Sequence, residues 1–257
     1  MTESKNMELN RMRNLLFTLR FDGTAYHGWQ VQENAPTVQQ TFQDAVERIC
    51  GSRDNVVGCS RTDAGVHANM YCCNMRTESG LSCEKWLAAL NAVLPRDMAV
   101  ADCREVPLDF HARYDCSSKE YVYKIWNGKV RNPFYEKYYF HYQYPLDEDF
   151  LISQATDFVG THDFSSFCAS GSSTKDNVRT VTNVRIQRNG DEVLLFFEAD
   201  GFLYNMVRIM TGTLIDLSRG RLAAGSVPDI IKAKDRSAAG VTAPAHGLYL
   251  NKVNYTF

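Results

Sequence analysis

Hydrophobic positions along the chain switch between a period of two and a period near 3.6, and each switch marks an element boundary. Leu15 to Phe21 is apolar and rich in strand formers and ends at Asp22-Gly23, a turn dipeptide, which predicts a strand. Thr37 and Gln40 make a capping-box pattern ahead of Val38, Phe42, Val46 and Ile49, which repeat at helical spacing until Gly51. After Val56-Val57 a polar loop from Ser60 to His67 leads into a strand-like run through Met70 to Met75. Cys83, Trp86, Leu87, Leu90 and Leu94 then outline a second helix stopped by Pro95, and Val100 to Val106 a further strand. The order is βαββαβ.

The second half repeats this order. Tyr121 to Trp126 predicts a strand, Asp147 to Val159 a helix, Val181 to Arg188 and Val193 to Ala199 two strands, Phe202 to Leu217 a helix, and Leu248 to Tyr255 a closing strand. Two βαββαβ units of the ferredoxin-like kind, with mostly antiparallel sheets and helices on one face, predict an α+β protein with a cleft where the units meet. The boundary is expected near Pro107 to Phe110, giving a tail over 1–12, a first domain over 13–108 and a second over 109–257. Two segments depart from the pattern as insertions: Asn127 to Tyr144, read as extra aromatic strands, and the Ser/Gly/Thr-rich loop Ala169 to Asn177.

Composition narrows the class. With 257 residues, 44% of them hydrophobic, the chain can bury a substantial core. Its longest apolar runs, Leu15 to Leu19 and Val193 to Phe197, are too short to span a bilayer, and Met1 to Arg13 is polar rather than signal-like, so a cytoplasmic protein is expected. The eight cysteines include no Cys-x-x-Cys pair and accompany no paired-histidine spacing, which predicts reduced thiols and no zinc site. A net charge of −2 advertises no nucleic-acid partner globally, so an RNA surface would be a local patch. The stretch from His111 to Lys137 is the candidate: Arg113, Lys119, Lys124, Lys129, Arg131 and Lys137 there outnumber Asp115, Glu120 and Glu136. By itself such a run describes an ordinary solvated face.

Candidate chemistry centres on the loop from Ser60 to Ala68. It sets Asp63 two residues after Arg61 and four before His67, with Gly65 permitting a tight turn. An aspartate in such a loop is ordinarily an Asx-turn or cap residue. As a nucleophile it would have to be ionised, which a nearby arginine favours; Arg61 is one such partner and Arg208 another, since the apolar stripe of its helix leaves Arg208 facing elsewhere. Asp63 and His67 are also possible metal ligands, but no further carboxylate or histidine cluster accompanies them, and no metal site is expected. Gly-x-Ser-x-Gly, Walker and dinucleotide fingerprints are absent. Tyr121 and Tyr123 alternate with Val122 on one strand of the basic region, so one could stack on an extruded base and at least one belongs in the sheet core.

These residues, in this order, resemble the tRNA pseudouridine synthase A family over nearly the whole chain. The match runs through Phe21-Asp22-Gly23, Tyr26-His27-Gly28-Trp29-Gln30, Thr37-Val38-Gln39 and Arg61-Thr62-Asp63-Ala64-Gly65-Val66-His67-Ala68. It continues through Asp109-Phe110-His111-Ala112-Arg113, Lys119 to Tyr123, Gly160-Thr161-His162-Asp163-Phe164, Met206-Val207-Arg208, Gly212-Thr213-Leu214 and Gly247-Leu248-Tyr249-Leu250. The resemblance implies isomerisation of uridine to pseudouridine at positions 38, 39 and 40 of the tRNA anticodon stem-loop, by a homodimer that needs no cofactor. It implies roles for four residues: Asp63 as the catalytic aspartate, Tyr121 beside the target base, Arg61 in base flipping, and Arg208 paired with the aspartate. Glu120, acidic beside Tyr121, and the polar tail depart from the pattern. The rivals are a non-catalytic RNA stem-loop binding protein and a metal-dependent phosphoesterase built on Asp63 and His67.

Overall fold

The structure is a computed structural model, and it describes residues 12–172 and 174–256. Residues 1–11 of the expected tail, and residue 173 of the second insertion, lie outside the described residues. The chain divides into two compact units. One holds the described residues up to Ser117 together with those from Lys252 onward; the other is Ser118–Asn251.

In the first unit the elements follow the predicted order: β1 (Arg13–Phe21), α1 (Val38–Cys50), β2 (Val56–Gly58), β3 (His67–Thr77), α2 (Cys83–Val93) and β4 (Met98–Val106). The strands lie in the order β4-β1-β3-β2, every pair antiparallel. The helix ends are where local chemistry sets them: Thr37 Oγ1 accepts from the Gln40 N–H, and Gly51, at φ +75°, stops α1 in the left-handed conformation that suits glycine. Phe17 of β1 anchors both helices, its ring meeting Phe42 of α1 at 5.4 Å and Trp86 of α2 at 6.2 Å, each edge to face.

Strand β3 is buried along Tyr71–Met75 on both of its faces, so one of those faces must be covered by something other than α1 and α2. There Asn14 and Asn74, both buried, form a polar cluster that sequence periodicity does not reveal. Asn74 Nδ2 donates to Asn14 Oδ1, Asn14 Nδ2 donates to the carbonyls of Pro107 and Phe110, and Asn74 Oδ1 accepts from the Ala112 N–H. The segment carrying the Asp109-to-Arg113 motif is thereby pinned under β3, with Tyr255 donating to the Ala112 carbonyl. Replacing Asn74 with Leu leaves the Ala112 N–H buried without its acceptor. We expect a loss of about 2–4 kcal/mol, read as a lower urea midpoint at unchanged denaturant slope.

The second unit contains β5 (Cys116–Trp126, its first two residues counted with the first unit), β6 (Phe140–His141), α3 (Glu148–Ala155), β7 (Gly160–Asp163), β8 (Val178–Asn189), β9 (Glu192–Ala199), α4 (Met206–Ser218) and α5 (Val227–Ala233). Strand β10 (Leu248–Tyr255) follows, its first four residues counted with this unit and its last four with the first. Strands β5, β9, β8 and β7 lie side by side, antiparallel, and β6 pairs parallel with β5. The architecture is α+β with mostly antiparallel strands, as the periodicity predicted.

Three details differ from the sequence reading. The aromatic insertion supplies only the two residues of β6; around them the chain turns, because Asn132-Pro133 breaks any ladder and Tyr135 stacks on Tyr139, centroids 4.5 Å apart, instead of alternating with it. Strand β7 and helix α5 were not predicted, being only four and seven residues long. Helix α4 begins at Met206 rather than at Phe202, because Asn205 precedes it in the left-handed region at φ +61°.

Candidate active site

The loop bearing Asp63 joins β2 to β3, and its shape is imposed by the segment 23–29. Gly65, at φ +77°, turns the chain and donates its N–H to the Tyr26 carbonyl at 3.1 Å. The Trp29 N–H donates to the Thr62 carbonyl at 3.2 Å, and the Val66 N–H closes the turn on the Asp63 carbonyl. The two backbones approach too closely for side chains: a Cβ on Gly23 would stand 2.0 Å from the Val66 oxygen, and one on Gly28, itself at φ +80°, 2.3 Å from the Thr62 oxygen. Behind the loop the Trp29 ring stacks on Tyr71 at 4.3 Å, and the Tyr71 hydroxyl donates to the Ser60 carbonyl.

Asp63 therefore sits, half-buried, on a loop whose backbone is fixed on either side of it. Arg61 is exposed, and among the described residues its guanidinium makes no hydrogen bond or ion pair. His67 is buried, its Nδ1 accepting the Gly23 N–H at 3.0 Å and lying 3.2 Å from Asp22 Oδ1. A ring nitrogen that accepts a backbone N–H is holding the loop entrance, which gives this imidazole a structural task. Among the described residues no three His, Cys, Asp or Glu side chains are grouped as metal ligands.

Tyr121 and Arg208 belong to the second unit. On β5, Tyr121 stands opposite Phe197 of β9 and its ring meets Phe202 edge to face at 5.1 Å. Both tyrosines are buried; Tyr123, two residues on, is the more completely so, its hydroxyl donates to the Pro244 carbonyl at 2.7 Å, and burial pushes that hydroxyl far above the usual tyrosine range. Arg208 occupies the first turn of α4. Its Nε donates to the Ala243 carbonyl at 2.8 Å and its Nη1 to Asn205 Oδ1 at 2.6 Å.

That grip has its own supports. The Gly240–Ala243 segment lies so close to α4 that a Cβ on Gly212 would stand 1.8 Å from the Val241 oxygen, and one on Gly240 2.7 Å from the Thr213 Cα. The Gly240 N–H donates to Thr213 Oγ1 and the Val241 N–H to Asp216 Oδ2. Gly212-Thr213 thus keeps the Ala243 carbonyl where Arg208 needs it. Asn205 was not singled out in the sequence; a small polar residue just ahead of an apolar helix was the available signal.

Of the basic stretch, Arg113, Lys129, Arg131 and Lys137 are exposed, but Lys119 is buried and Lys124 lies over the Tyr249 ring with its ammonium 3.7 Å from the centroid. Burial lowers the Lys124 pKa. The solvated basic face is therefore smaller than the six residues predicted.

The candidate residues fall in two groups: a fixed acidic loop in one unit, and an aromatic ring with a clamped guanidinium in the other. A family model described as tRNA pseudouridine synthase matches residues 18–115 and 155–256, which contain Arg61, Asp63 and Arg208 but not Tyr121. Curated relatives narrow the class. The tRNA pseudouridine synthase A of Thermoanaerobacter sp. (strain X514) is 46% identical over 244 residues, covering 95% of this chain and all of the relative. That of Acetivibrio thermocellus is 44% identical over the same coverage, and that of Clostridium acetobutylicum 43% over 245 residues. The chain belongs to the tRNA pseudouridine synthase A family, and is an isomerase.

Proposed function

We propose that this enzyme converts uridine to pseudouridine at positions 38, 39 and 40 of the tRNA anticodon stem-loop, with the carboxylate of Asp63 as nucleophile. The observation that carries the reading is the immobilised Asp63 loop. A nucleophile held by three backbone hydrogen bonds and two glycine contacts meets its target without reorganising, and that is how a weak carboxylate nucleophile becomes effective.

The reaction breaks the bond between N1 of uracil and C1′ of the ribose, rotates the base, and forms a bond from C5 to C1′, while a proton leaves C5 and N1 gains one. Substrate and product are isomers, so the atoms balance without a co-substrate and the chemistry itself asks for no cofactor. Asp63 adds either to the base or to C1′. Tyr121 keeps the detached uracil against its ring face, Arg61 fills the space the flipped nucleotide leaves, and Arg208, held by Ala243 and Asn205, supplies the cation that keeps Asp63 ionised. We assign a cytoplasmic homodimer as the working form, on the family resemblance.

Two measurements test this. A tRNA transcript carrying tritium at uridine C5, incubated with the enzyme in chelator and without added cofactor, should release one tritium per target site; tRNA binding without release would leave a stem-loop binding protein. Tyr121→Phe should lose only what the hydroxyl contributes, whereas Tyr121→Leu should lose a further ~5- to 150-fold, corresponding to about 1–3 kcal/mol of base stacking. Equal damage from the two substitutions would remove the stacking role.

A further inference from the structure

The Asp63 loop is bonded to the turn that follows β1, so whatever fixes that turn also fixes the loop. Gly23 to Ala25 form a single short turn of 3-10 helix. Its shape is set locally: the Asp22 carboxylate accepts from the Thr24 N–H at 2.9 Å, and the Tyr26 N–H donates to the Gly23 carbonyl at 3.0 Å. His67 holds its first residue, by accepting the Gly23 N–H. The last contact is the one that matters for Asp63, because the Tyr26 carbonyl takes the N–H of Gly65, two residues further along the loop.

Asp97, in the connection between α2 and β4, is bonded to both ends of this turn. Its carbonyl accepts the Asp22 N–H at 2.8 Å, and its Oδ1 accepts the Tyr26 hydroxyl at 2.7 Å. The Tyr26 side chain is buried, and a phenol that donates to a carboxylate makes a short, strong hydrogen bond. A continuous series of bonds therefore runs from the Asp97 carboxylate through the Tyr26 side chain and carbonyl to Gly65 and the Asp63 loop.

We propose that Asp97 is a positioning residue for the reaction: by holding the Tyr26 hydroxyl it fixes the Tyr26 carbonyl, and through Gly65 the place of the Asp63 carboxylate. Asp97 itself makes and breaks no bond to the substrate. The inference rests on the reading of Asp63 as nucleophile. Two substitutions cut the same link from opposite sides. Asp97→Ala removes the carboxylate but keeps the carbonyl that binds Asp22, and Tyr26→Phe removes the hydroxyl but keeps the ring in the core.

The test is single-turnover tritium release from the C5-labelled transcript, with tRNA affinity and urea midpoints measured alongside. Wild type and Asp63→Asn are run first. Release by Asp63→Asn would overturn the nucleophile reading and this inference with it, whereas the Asp97 and Tyr26 variants test the inference alone. Asp97→Ala and Tyr26→Phe should each release tritium about 10- to 100-fold more slowly, the scale of a displacement up to about 1 Å, with tRNA affinity within about 2-fold of wild type. The double variant should be no slower than the slower single, because all three lack the same bond. Asp97→Asn keeps an acceptor oxygen and should recover most of the rate. Wild-type rates in the folded Tyr26→Phe variant, losses that multiply in the double variant, no recovery in Asp97→Asn, or lost affinity with the rate retained would each overturn the proposal.

Discussion

Asp63→Asn is expected to fold, to bind tRNA with unchanged affinity, and to form pseudouridine at a rate lower by on the order of 10⁴-fold or more, the scale seen when a covalent nucleophile is removed. The amide has nearly the shape of the carboxylate but carries no anionic oxygen to add to the base or to C1′. Folding should survive, because the contacts that shape the loop are made by backbone: Gly65 to Tyr26, Trp29 to Thr62, and Val66 to the main-chain carbonyl of residue 63 itself. Single-turnover kinetics and a tRNA binding isotherm separate these effects. A variant defective in binding as well as in rate would place Asp63 among the groups that hold the RNA.

Gly28→Ala should have the next largest effect, through position rather than chemistry. Its φ of +80° already penalises a side chain by about 1–2 kcal/mol, and the new Cβ would stand 2.3 Å from the Thr62 oxygen, so the Asp63 loop must move. A displacement near 1 Å costs about 100-fold in rate. We expect kcat to fall by that order while KM for tRNA changes little. Gly51→Ala is the control: Gly51 shares the left-handed conformation, at φ +75°, but nothing lies within 4 Å of its Cβ position, so this variant should lose stability alone. If both variants lose activity equally, loop displacement is not the cause.

The elements were legible in the sequence because each was announced by local chemistry: Thr37 and Gly51 around α1, Pro95 after α2, the continuous apolar run Val193 to Phe197 in β9. Asp63 stood out as a candidate because glycine, arginine and histidine surround it in sequence. What holds it was not. Tyr26, Gly28 and Trp29 matched a family pattern, but their work on the loop depends on a backbone approach between segments more than 30 residues apart, which periodicity does not encode. Asn14 and Asn74 were likewise invisible, since a buried amide looks like a surface residue until its partners are known. The aromatic insertion misled the reading because tyrosine and phenylalanine favour strands, while the Asn132-Pro133 break and the Tyr135–Tyr139 stack decided for turns.

The most direct test of the central claim is pseudouridine mapping on unmodified tRNA after incubation with wild type and with Asp63→Asn, in chelator and with no added cofactor. The account predicts pseudouridine at positions 38 to 40 with wild type and none with the variant; product from both, or product elsewhere in the tRNA, would contradict it.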